Sequence, residues 1–130
     1  MDPGYLLDSN VIIGYLAGRI PAPGTRIISE IIDKSPHISV ISQIEVLRYS
    51  DTPENDAILD SFIAASVIHS LNPVIVQRTI ELCKNSKIKL PDAIIAATAL
   101  TENYILVTRN IDDFKHICNL ELFNPWDYNI

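Results

Sequence analysis

Short runs of apolar and β-branched residues alternate with longer stretches of helical periodicity along most of this 130-residue chain. Runs of this kind predict strands, and stretches with apolar residues three and four apart predict helices. A strand followed by a helix, repeated several times, predicts a parallel sheet, because parallel neighbours need a crossover connection. We therefore predict one α/β domain over residues 1–130, a three-layer α/β/α sandwich with a mostly parallel central sheet.

The beginnings of several predicted helices carry capping signals. Ser9-Asn10 and Asn72-Pro73 predict helix starts, and Ser42-x-x-Glu45 matches a capping box, in which two side chains satisfy free backbone N–H groups. The predicted strands cover residues 4–8, 37–41, 67–69, 104–107 and 121–123. The predicted helices cover residues 11–16, 27–32, 43–49, 54–63, 73–83 and 90–100. The last of these helices is apolar nearly all round, so we expect it to be buried.

Acidic residues follow several of the predicted strands. Asp8 closes the first strand, Glu45 falls in the first turn of the helix after the second strand, and Asp92 lies in the first turn of the buried helix. Further polar residues end and follow the fourth strand: Thr108, Asn110, Asp112 and Asp113. Because ligands of parallel sheets bind beyond the carboxyl ends of the strands, we expect these side chains to surround a common crevice.

Crowded carboxylates repel one another unless a cation neutralises them. Mg²⁺ and Mn²⁺ prefer oxygen ligands, and such ions activate water and stabilise the leaving oxygen of a phosphodiester. Structural interpretations compete with this one: Glu45 as a capping residue, Asp92 as a favourable charge at a helix N-terminus, and Asp112 and Asp113 as solvated turn residues. Asp8 resists such an interpretation, because a buried acid at the end of a strand is costly without a partner.

Ten basic and sixteen acidic residues give the chain a net charge of −6. This balance argues against binding nucleic acid by charge alone, unless bound cations invert the local field. Cys83 and Cys118 have no zinc-ligand spacing, and we expect both in the core. His37, His69 and His116 are scattered and are not expected to be ligands. With no signal peptide and no apolar run of membrane-spanning length in the sequence, we expect a cytoplasmic protein.

Four stretches of the chain together resemble the PIN-domain ribonucleases of the VapC toxin type. They are residues 6–13 (LLDSNVII), 42–47 (SQIEVL), 90–99 (LPDAIIAATA) and 107–110 (VTRN), the last followed by Asp113-Phe114. Their order and approximate spacing match this family across nearly the whole chain, and Asn124-Pro125-Trp126 is similar to its usual ending. The first and third stretches are specific in combination, although either alone is a weak signal.

The resemblance implies an endoribonuclease that requires Mg²⁺ or Mn²⁺, acts on RNA, and is held inactive by an antitoxin protein, commonly as a homodimer. It implies that Asp8 and Asp92 are the principal metal ligands and that Glu45 is a further acid of the pocket. It also implies polar supports that orient ligands or water and brace the strand-to-helix turn: Ser9, Asn10 and Thr108.

The chain departs from the family at position 110, where many members have Asp and this chain has Asn110. An amide binds metal more weakly than a carboxylate, so a second metal ion depends on whether Asp112 or Asp113 reaches the pocket. Asn110 and Asp113 join the three acids above as the expected catalytic residues. The stretch between Glu45 and Asp92 is also short for the family, which leaves the geometry of a dimer open.

Two other functions compete with an active nuclease. A haloacid-dehalogenase-like phosphotransferase needs a second acid two residues after the first, where this chain has Asn10. A PIN-like module that has lost catalysis and serves in RNA binding or assembly is favoured by Asn110 and opposed by the three acids. Walker and G-x-G-x-x-G loops do not occur in the sequence. An antitoxin with a basic segment that enters the crevice would account for the acidic balance.

Overall fold

The computed structural model describes residues 4–49 and 51–128, and within them it contains five strands and seven α-helices. The strands are β1 (Tyr5–Leu7), β2 (His37–Ser39), β3 (Val67–His69), β4 (Ile105–Val107) and β5 (Leu122–Phe123). The helices are α1 (Ser9–Leu16), α2 (Ala22–Asp33), α3 (Val40–Arg48), α4 (Pro53–Ala64), α5 (Pro73–Asn85), α6 (Leu90–Glu102) and α7 (Ile111–Phe114). Residues 1–3, on which part of the signal-peptide expectation rests, lie outside the described residues.

The five strands form one sheet in the order β3-β2-β1-β4-β5, and every neighbouring pair is parallel. From β1 the chain first adds β2 and β3 on one side and then returns to add β4 and β5 on the other. The strand order therefore changes direction between β1 and β4, where Leu6 pairs with Leu106. Parallel sheets of this kind offer a ligand crevice at such a point.

The two faces of the sheet belong to two apolar clusters, as expected for a sheet covered on both sides. Leu7, Ile38 and Val107 pack in one cluster with residues of α1, α2, α3 and α4. Leu6 and Leu106 point to the other face and pack in a second cluster with residues of α6 and α7. The predicted three-layer architecture is confirmed, and the sheet is parallel throughout.

Helix α6 is buried along residues 93–99, as its apolar sequence predicts. Four of these seven residues are alanines, and small side chains let the helix lie close to the sheet and to α5. The helix ends at Asn103, whose left-handed backbone (φ 58°) is a common helix terminus. The burial of α6 holds its first turn, which carries Asp92, at a fixed place beside the crevice.

Two predicted helix starts are wrong by one to three residues. Asp8, rather than Ser9-Asn10, is the N-cap of α1, and its carboxylate accepts a hydrogen bond from the backbone N–H of Ser9. Ser39 caps α3 by accepting from the N–H of Ile41, so β2 ends at Ser39 instead of residue 41. The Asn72 cap of α5 is confirmed, since its side chain accepts from the N–H of Ile75.

Both cysteines are exposed, which contradicts the prediction that they lie in the core. Cys83 lies in the exposed last turn of α5, and Cys118 lies in the turns after α7. The histidines are also less scattered than the sequence suggests, because the pairing of β2 with β3 brings His37 Nδ1 to 2.9 Å from His69 Nε2. Among the described residues, the longest apolar helices are too short to cross a membrane.

A short 3-10 helix at Pro125–Asp127 folds the end of the described chain back over α1 and α2. The Trp126 ring lies against Gly14, where a Cβ atom would come within 2.7 Å of it. The Pro125 carbonyl fills the space that a Cβ atom on Gly24 would need. Trp126 thus covers the core, and the two glycines are required by close approach.

Candidate active site

A crevice of about 630 Å³ opens beyond the carboxyl ends of β1 and β4, where the strand order changes direction. The segments that form its wall are remote in sequence and include the three principal acids predicted for the site. The lining residues are Asp8, Ser9, Asn10, Ile13, Glu45, Arg48, Tyr49, Asp92 and Asn110. The expectation of a common crevice is met for these acids, whereas their catalytic roles stay predictions.

Asp8 lies at the base of this crevice and is only 5% exposed. It leaves β1 and enters α1, so its side chain caps the helix while the strand fixes its backbone. Its Oδ1 atom accepts from the backbone N–H of Ser9 at 2.8 Å. Its Oδ2 atom accepts from the Thr108 hydroxyl at 2.8 Å and from the Asn10 amide at 3.2 Å. The Ser9 hydroxyl is a fourth and weaker donor, 3.5 Å from Oδ1. Together these groups hold the carboxylate in one orientation.

The charge on Asp8 is unfavourable in the metal-free protein. The pKa of Asp8 is raised to about 6, mainly by burial and to a lesser extent by the negative charges of Glu45 and Asp92. The hydrogen bonds from Thr108 and Ser9 lower it again, but they do not offset burial. A buried carboxylate with like charges nearby is stabilised in its ionised form by a cation.

Glu45 faces Asp8 from α3. The Ser9 hydroxyl donates to Glu45 Oε1 at 2.5 Å, a short bond to a charged acceptor that ties α1 to α3. The predicted capping box is wrong, because α3 begins at Val40 and Glu45 therefore lies in its second turn. The Ser42 hydroxyl is buried without a hydrogen-bond partner in the described part of the chain. Glu45 is thus free to extend into the crevice rather than back to its own helix end.

Asp92 lies in the first turn of α6, as predicted, and is half-buried. Burial raises the pKa of Asp92, and the negative charges of Asp113 and Glu45 raise it further, while Lys89 lowers it. Asp8, Glu45 and Asp92 therefore interact with one another across the crevice, and Asp113 interacts with Asp92. Asp92 keeps solvent contact, so its carboxylate can meet a ligand that enters from outside.

Asp8, Glu45 and Asp92 form three sides of the site, and the segment after β4 forms the fourth. Asn110 is exposed and lines the crevice, and its backbone N–H donates to the Thr108 hydroxyl at 3.0 Å. Asp113 is exposed on α7 but close enough to Asp92 to raise its pKa. Asp112 points elsewhere and forms an ion pair with Lys115 at 3.0 Å. Of the two neighbouring acids, Asp113 is the one that faces the site.

The predicted supporting residues connect the segments around the crevice. Thr108 donates to Asp8, and Ser9 donates to Glu45. Asn10 joins two strand ends, since its amide nitrogen donates to Asp8 and its oxygen accepts from the Arg109 N–H at 3.1 Å. These bonds hold the ends of β1 and β4 together with the start of α1.

The crevice suits a hard divalent cation by its donor set, which consists of carboxylate, amide and hydroxyl oxygens. The raised pKa of Asp8 is the observation that fits such an ion, because a metal would favour the ionised carboxylate. Across residues 4–49 and 51–128, no three His, Cys, Asp or Glu side chains already converge as a ligand set. The acids surround the crevice, and their side chains would have to move closer together to coordinate an ion.

Three crevice residues were not identified from the sequence. Arg48 and Tyr49 end α3 on the same wall as Glu45, and Ile13 lies one turn after Ser9 on α1. A signal existed for Arg48, which lies three residues after Glu45 and therefore on the same helix face. Arg109, beside the site, lies 4.8 Å from the centre of the Trp126 ring in a cation–π contact.

Comparison with known protein families gives one match, in which the model described as the PIN domain covers residues 5–120. A search of curated proteins gives no match.

Solved structures with the same fold include three toxin–antitoxin complexes. A complex from Klebsiella pneumoniae matches with a TM-score of 0.74 and 29% identity, covering 98% of this chain and 100% of that chain. VapBC2 from Rickettsia felis, bound to a promoter DNA fragment, matches with a TM-score of 0.73 and 29% identity over 92% and 97%. DNA-bound VapBC from Salmonella typhimurium matches with a TM-score of 0.78 and 22% identity over 95% and 99%.

These matches bear on the family and on the class of activity. The family model covers far more than half of the chain, and the matched structures cover at least 92% of it. PIN domains are nucleases, so the predicted hydrolase class is confirmed at that level. The resemblance to the VapC toxin type drawn from the four sequence stretches is confirmed, and the chain belongs to the PIN domain family.

Proposed function

We propose that this protein is a metal-dependent endoribonuclease that hydrolyses RNA phosphodiester bonds and serves as the toxin of a toxin–antitoxin pair. The observation that carries the proposal is the buried Asp8 carboxylate, crowded by Glu45 and Asp92 in an open crevice. Asp8 has a structural role as the N-cap of α1, but the charged groups that act on it, Glu45 and Asp92, have the same sign as its own carboxylate. Such an arrangement is unfavourable unless a bound cation compensates it.

Asp8, Glu45 and Asp92 would hold Mg²⁺ or Mn²⁺, with Asn110 and Asp113 completing the catalytic set. When bound, such an ion supplies an activated water and stabilises the charge of the leaving oxygen. Ser9 and Thr108 would keep the carboxylates of Glu45 and Asp8 oriented through the hydrogen bonds described above. Orientation by such partners commonly changes metal affinity by about 10- to 100-fold.

Cleavage of a fluorescent single-stranded RNA tests this function. We expect cleavage with Mg²⁺ or Mn²⁺, none with EDTA, and a loss of at least about 100-fold for Asp92→Asn. The matched control is Asp33→Asn, which removes one negative charge from the exposed end of α2 and should leave cleavage unchanged. Cleavage that survives both EDTA and Asp92→Asn contradicts the proposal.

We propose an antitoxin partner as well, because the matched structures from Klebsiella pneumoniae and Rickettsia felis are described as toxin–antitoxin and VapBC complexes. An apolar groove of about 350 Å³ between α1 and α4 offers a place for a partner segment. Ile13 and Tyr49 line both this groove and the crevice. A basic residue at the end of such a segment could enter the crevice and mask the acids.

The partner proposal is tested by titrating basic peptides, encoded beside the gene, into the purified protein. Ile58 is 48% exposed in the groove, and Ile58→Asp should weaken binding by at least about 10-fold, since it places a charge in an apolar contact. Val67→Asp is the matched control, because Val67 is 43% exposed at the start of β3 and lines neither the groove nor the crevice. Binding that is indifferent to Ile58→Asp, or absent for every such peptide, contradicts this partner site.

A homodimer in the cytoplasm is part of the proposal. Exposed apolar residues on and before α5 support self-association: Leu71, Val74, Val76 and Ile80. Light scattering on the purified protein should give twice the mass of the chain, and Ile80→Glu should lower it. A monomeric mass at micromolar concentration contradicts the dimer.

One alternative is supported by a specific observation, the amide at Asn110 on the crevice wall. A PIN-like module that has lost catalysis would bind RNA or a partner without a metal site. Calorimetric titration with Mn²⁺ separates the two, because the nuclease should release or absorb heat that Asp8→Asn abolishes. Absence of such heat favours the binding module.

A further inference from the structure

Arg48 and Tyr49 end helix α3 at the mouth of the crevice. Both side chains are exposed, and both line the crevice together with Asp8 and Asp92. Tyr49 keeps 44% of its surface accessible. Their position is fixed from within α3, because the backbone N–H of Tyr49 still donates to the carbonyl of Val46.

Among the residues that the structure describes, Arg48 has no partner for its positive charge, although it lies on the wall of an acidic site. Glu45 is three residues earlier on the same helix face, yet its carboxylate takes the Ser9 hydroxyl instead. In the part of the chain that the structure describes, Arg48 forms neither an ion pair nor a side-chain hydrogen bond. The other crevice-lining residues carry no positive charge. A polyanion that approaches the acids therefore meets a guanidinium group with all its donors available.

Tyr49 directly follows Arg48 in the chain, lines the same crevice and is exposed to solvent. Unstacked bases of single-stranded RNA bind on exposed aromatic rings, while arginine binds the adjoining phosphate. An exposed aromatic residue next to an unpaired arginine, at the entrance of a phosphodiester-cleaving site, has the chemistry to hold one nucleotide.

We propose that Arg48 and Tyr49 form a nucleotide clamp for single-stranded RNA, with the phosphate on Arg48 and the base stacked on Tyr49. This inference rests on the proposed function and names the substrate class that the site would take. Tyr49 also borders the groove between α1 and α4. A partner segment in that groove would cover the ring and exclude the base, so inhibition would include direct competition for Tyr49.

Cleavage kinetics of a short single-stranded RNA with Mn²⁺ test the clamp. Arg48→Ala and Tyr49→Ala should each raise KM by about 10-fold and change kcat by less than about twofold, because neither residue acts on the scissile bond. Tyr49→Phe keeps the ring and should recover most of the rise in KM that Tyr49→Ala causes. The matched control for charge is Arg78→Ala, since Arg78 is exposed on α5 and lines a cavity far from the crevice, beside Tyr104.

Two further readouts separate a clamp from a general structural effect. Arg48→Ala should reduce the salt dependence of log(kcat/KM) by about 0.7, the value for one phosphate contact in single strands, and Tyr49→Ala should not. RNA oligonucleotides with one abasic nucleotide, placed in turn at each position, should include one for which Tyr49→Ala no longer raises KM.

The outcomes distinguish a failure of the clamp from a failure of the proposed RNA cleavage, on which the clamp rests. If the unmodified protein does not cleave RNA, the proposed function and the clamp both fail. If it cleaves and KM stays within about twofold in Arg48→Ala and Tyr49→Ala, only the clamp is overturned. The clamp is also overturned if Arg78→Ala has an equal effect, or if Tyr49→Ala weakens only the binding of a partner peptide.

Discussion

Replacing Asp8 by Asn is expected to stabilise the metal-free protein at neutral and alkaline pH, although it removes a proposed metal ligand. Burial raises the pKa of Asp8 from 3.8 to about 6. A raised carboxyl pKa means that the folded state holds the proton more tightly than the unfolded chain. The contribution of this proton to stability is therefore complete below pH 3.8 and is lost as the pH rises through about 6.

The magnitude follows from these two pKa values. Their difference corresponds to about 3 kcal/mol, at about 1.4 kcal/mol for each tenfold change in proton affinity. Asn caps a helix as well as Asp does, so the bond from the Ser9 N–H is retained. The Thr108 hydroxyl and the Asn10 amide both donate to Asp8 Oδ2, and an amide N–H in that place cannot accept from them, so part of the gain is lost. We expect a net gain of about 1–2 kcal/mol at pH 8.

The assay is urea unfolding followed by circular dichroism, in EDTA, at pH 8 and at lower pH. The advantage of Asp8→Asn should shrink as the pH falls toward 4, whereas the exposed control Asp33→Asn should stay within about 0.5 kcal/mol throughout. Mn²⁺ should stabilise the unmodified protein and not the variant, because a ligand of the native state shifts its stability by mass action. A variant that is no more stable at pH 8, or whose advantage is independent of pH, refutes the reasoning.

Three other predictions follow from particular contacts. Gly24→Ala should destabilise the fold by about 1–3 kcal/mol, because the added Cβ would overlap the Pro125 carbonyl. This loss should outweigh the helix preference of alanine, and an unchanged Tm in thermal unfolding contradicts it. Thr108→Val should weaken Mn²⁺ binding about 10- to 100-fold by calorimetry, since the hydroxyl orients the buried carboxylate, and equal affinity contradicts that role. Burial and then the charge of His69 lower the pKa of His37 below 6.5, so its contribution to stability is present above pH 6.5 and lost on acidification. When the pH is lowered from 7.5 to 5.5, the free energy of unfolding should therefore fall less for His37→Gln than for the unmodified protein. An equal fall contradicts this role of His37.

The placement of the acids on one edge of the sheet could be predicted because it depends on chain direction alone. In a parallel sheet every strand ends at the same edge, so a residue that closes a strand reaches the crevice whatever the details of packing. Asp8 follows β1 and Asn110 comes soon after β4, the two strands on either side of the change in strand order. Asp92 could be placed because a buried, apolar helix with an N-terminal proline has few alternative positions.

The start of α3 could not be predicted because two serines offered the same signal. Ser39 and Ser42 both precede helix-compatible residues, and Ser42 has an acid three positions later. The short strand β2 decides between them, since its pairing with β3 ends at Ser39 and the helix begins at once. A local pattern describes the two candidate caps equally well, and a tertiary contact selects one. The result matters for the site, because it frees Glu45 from its own helix end.

Contacts between distant segments explain the remaining errors. His37 and His69 meet only because β2 and β3 are neighbours, and the Tyr104 ring joins them from beyond β1, with its hydroxyl 3.4 Å from His37 Nδ1. Cys83 lies four residues after Thr79 and therefore on the face of α5 that buries Ile75 and Thr79, but it is in the exposed last turn of the helix. The sequence does not show where along a surface helix the burial of its apolar face ends.

The departure at Asn110 is best understood through the geometry of α7. The helix begins at Ile111, so Asp112 and Asp113 lie on different faces although they are adjacent in sequence. Asp112 pairs with Lys115 one turn later, and this leaves Asp113 as the acid whose charge acts on Asp92. The resemblance described above implies Asp at position 110 in many members, where this chain has an exposed amide that lines the crevice. We expect Asp113, three residues later, to supply the negative charge on this side of the site, because its charge acts on Asp92.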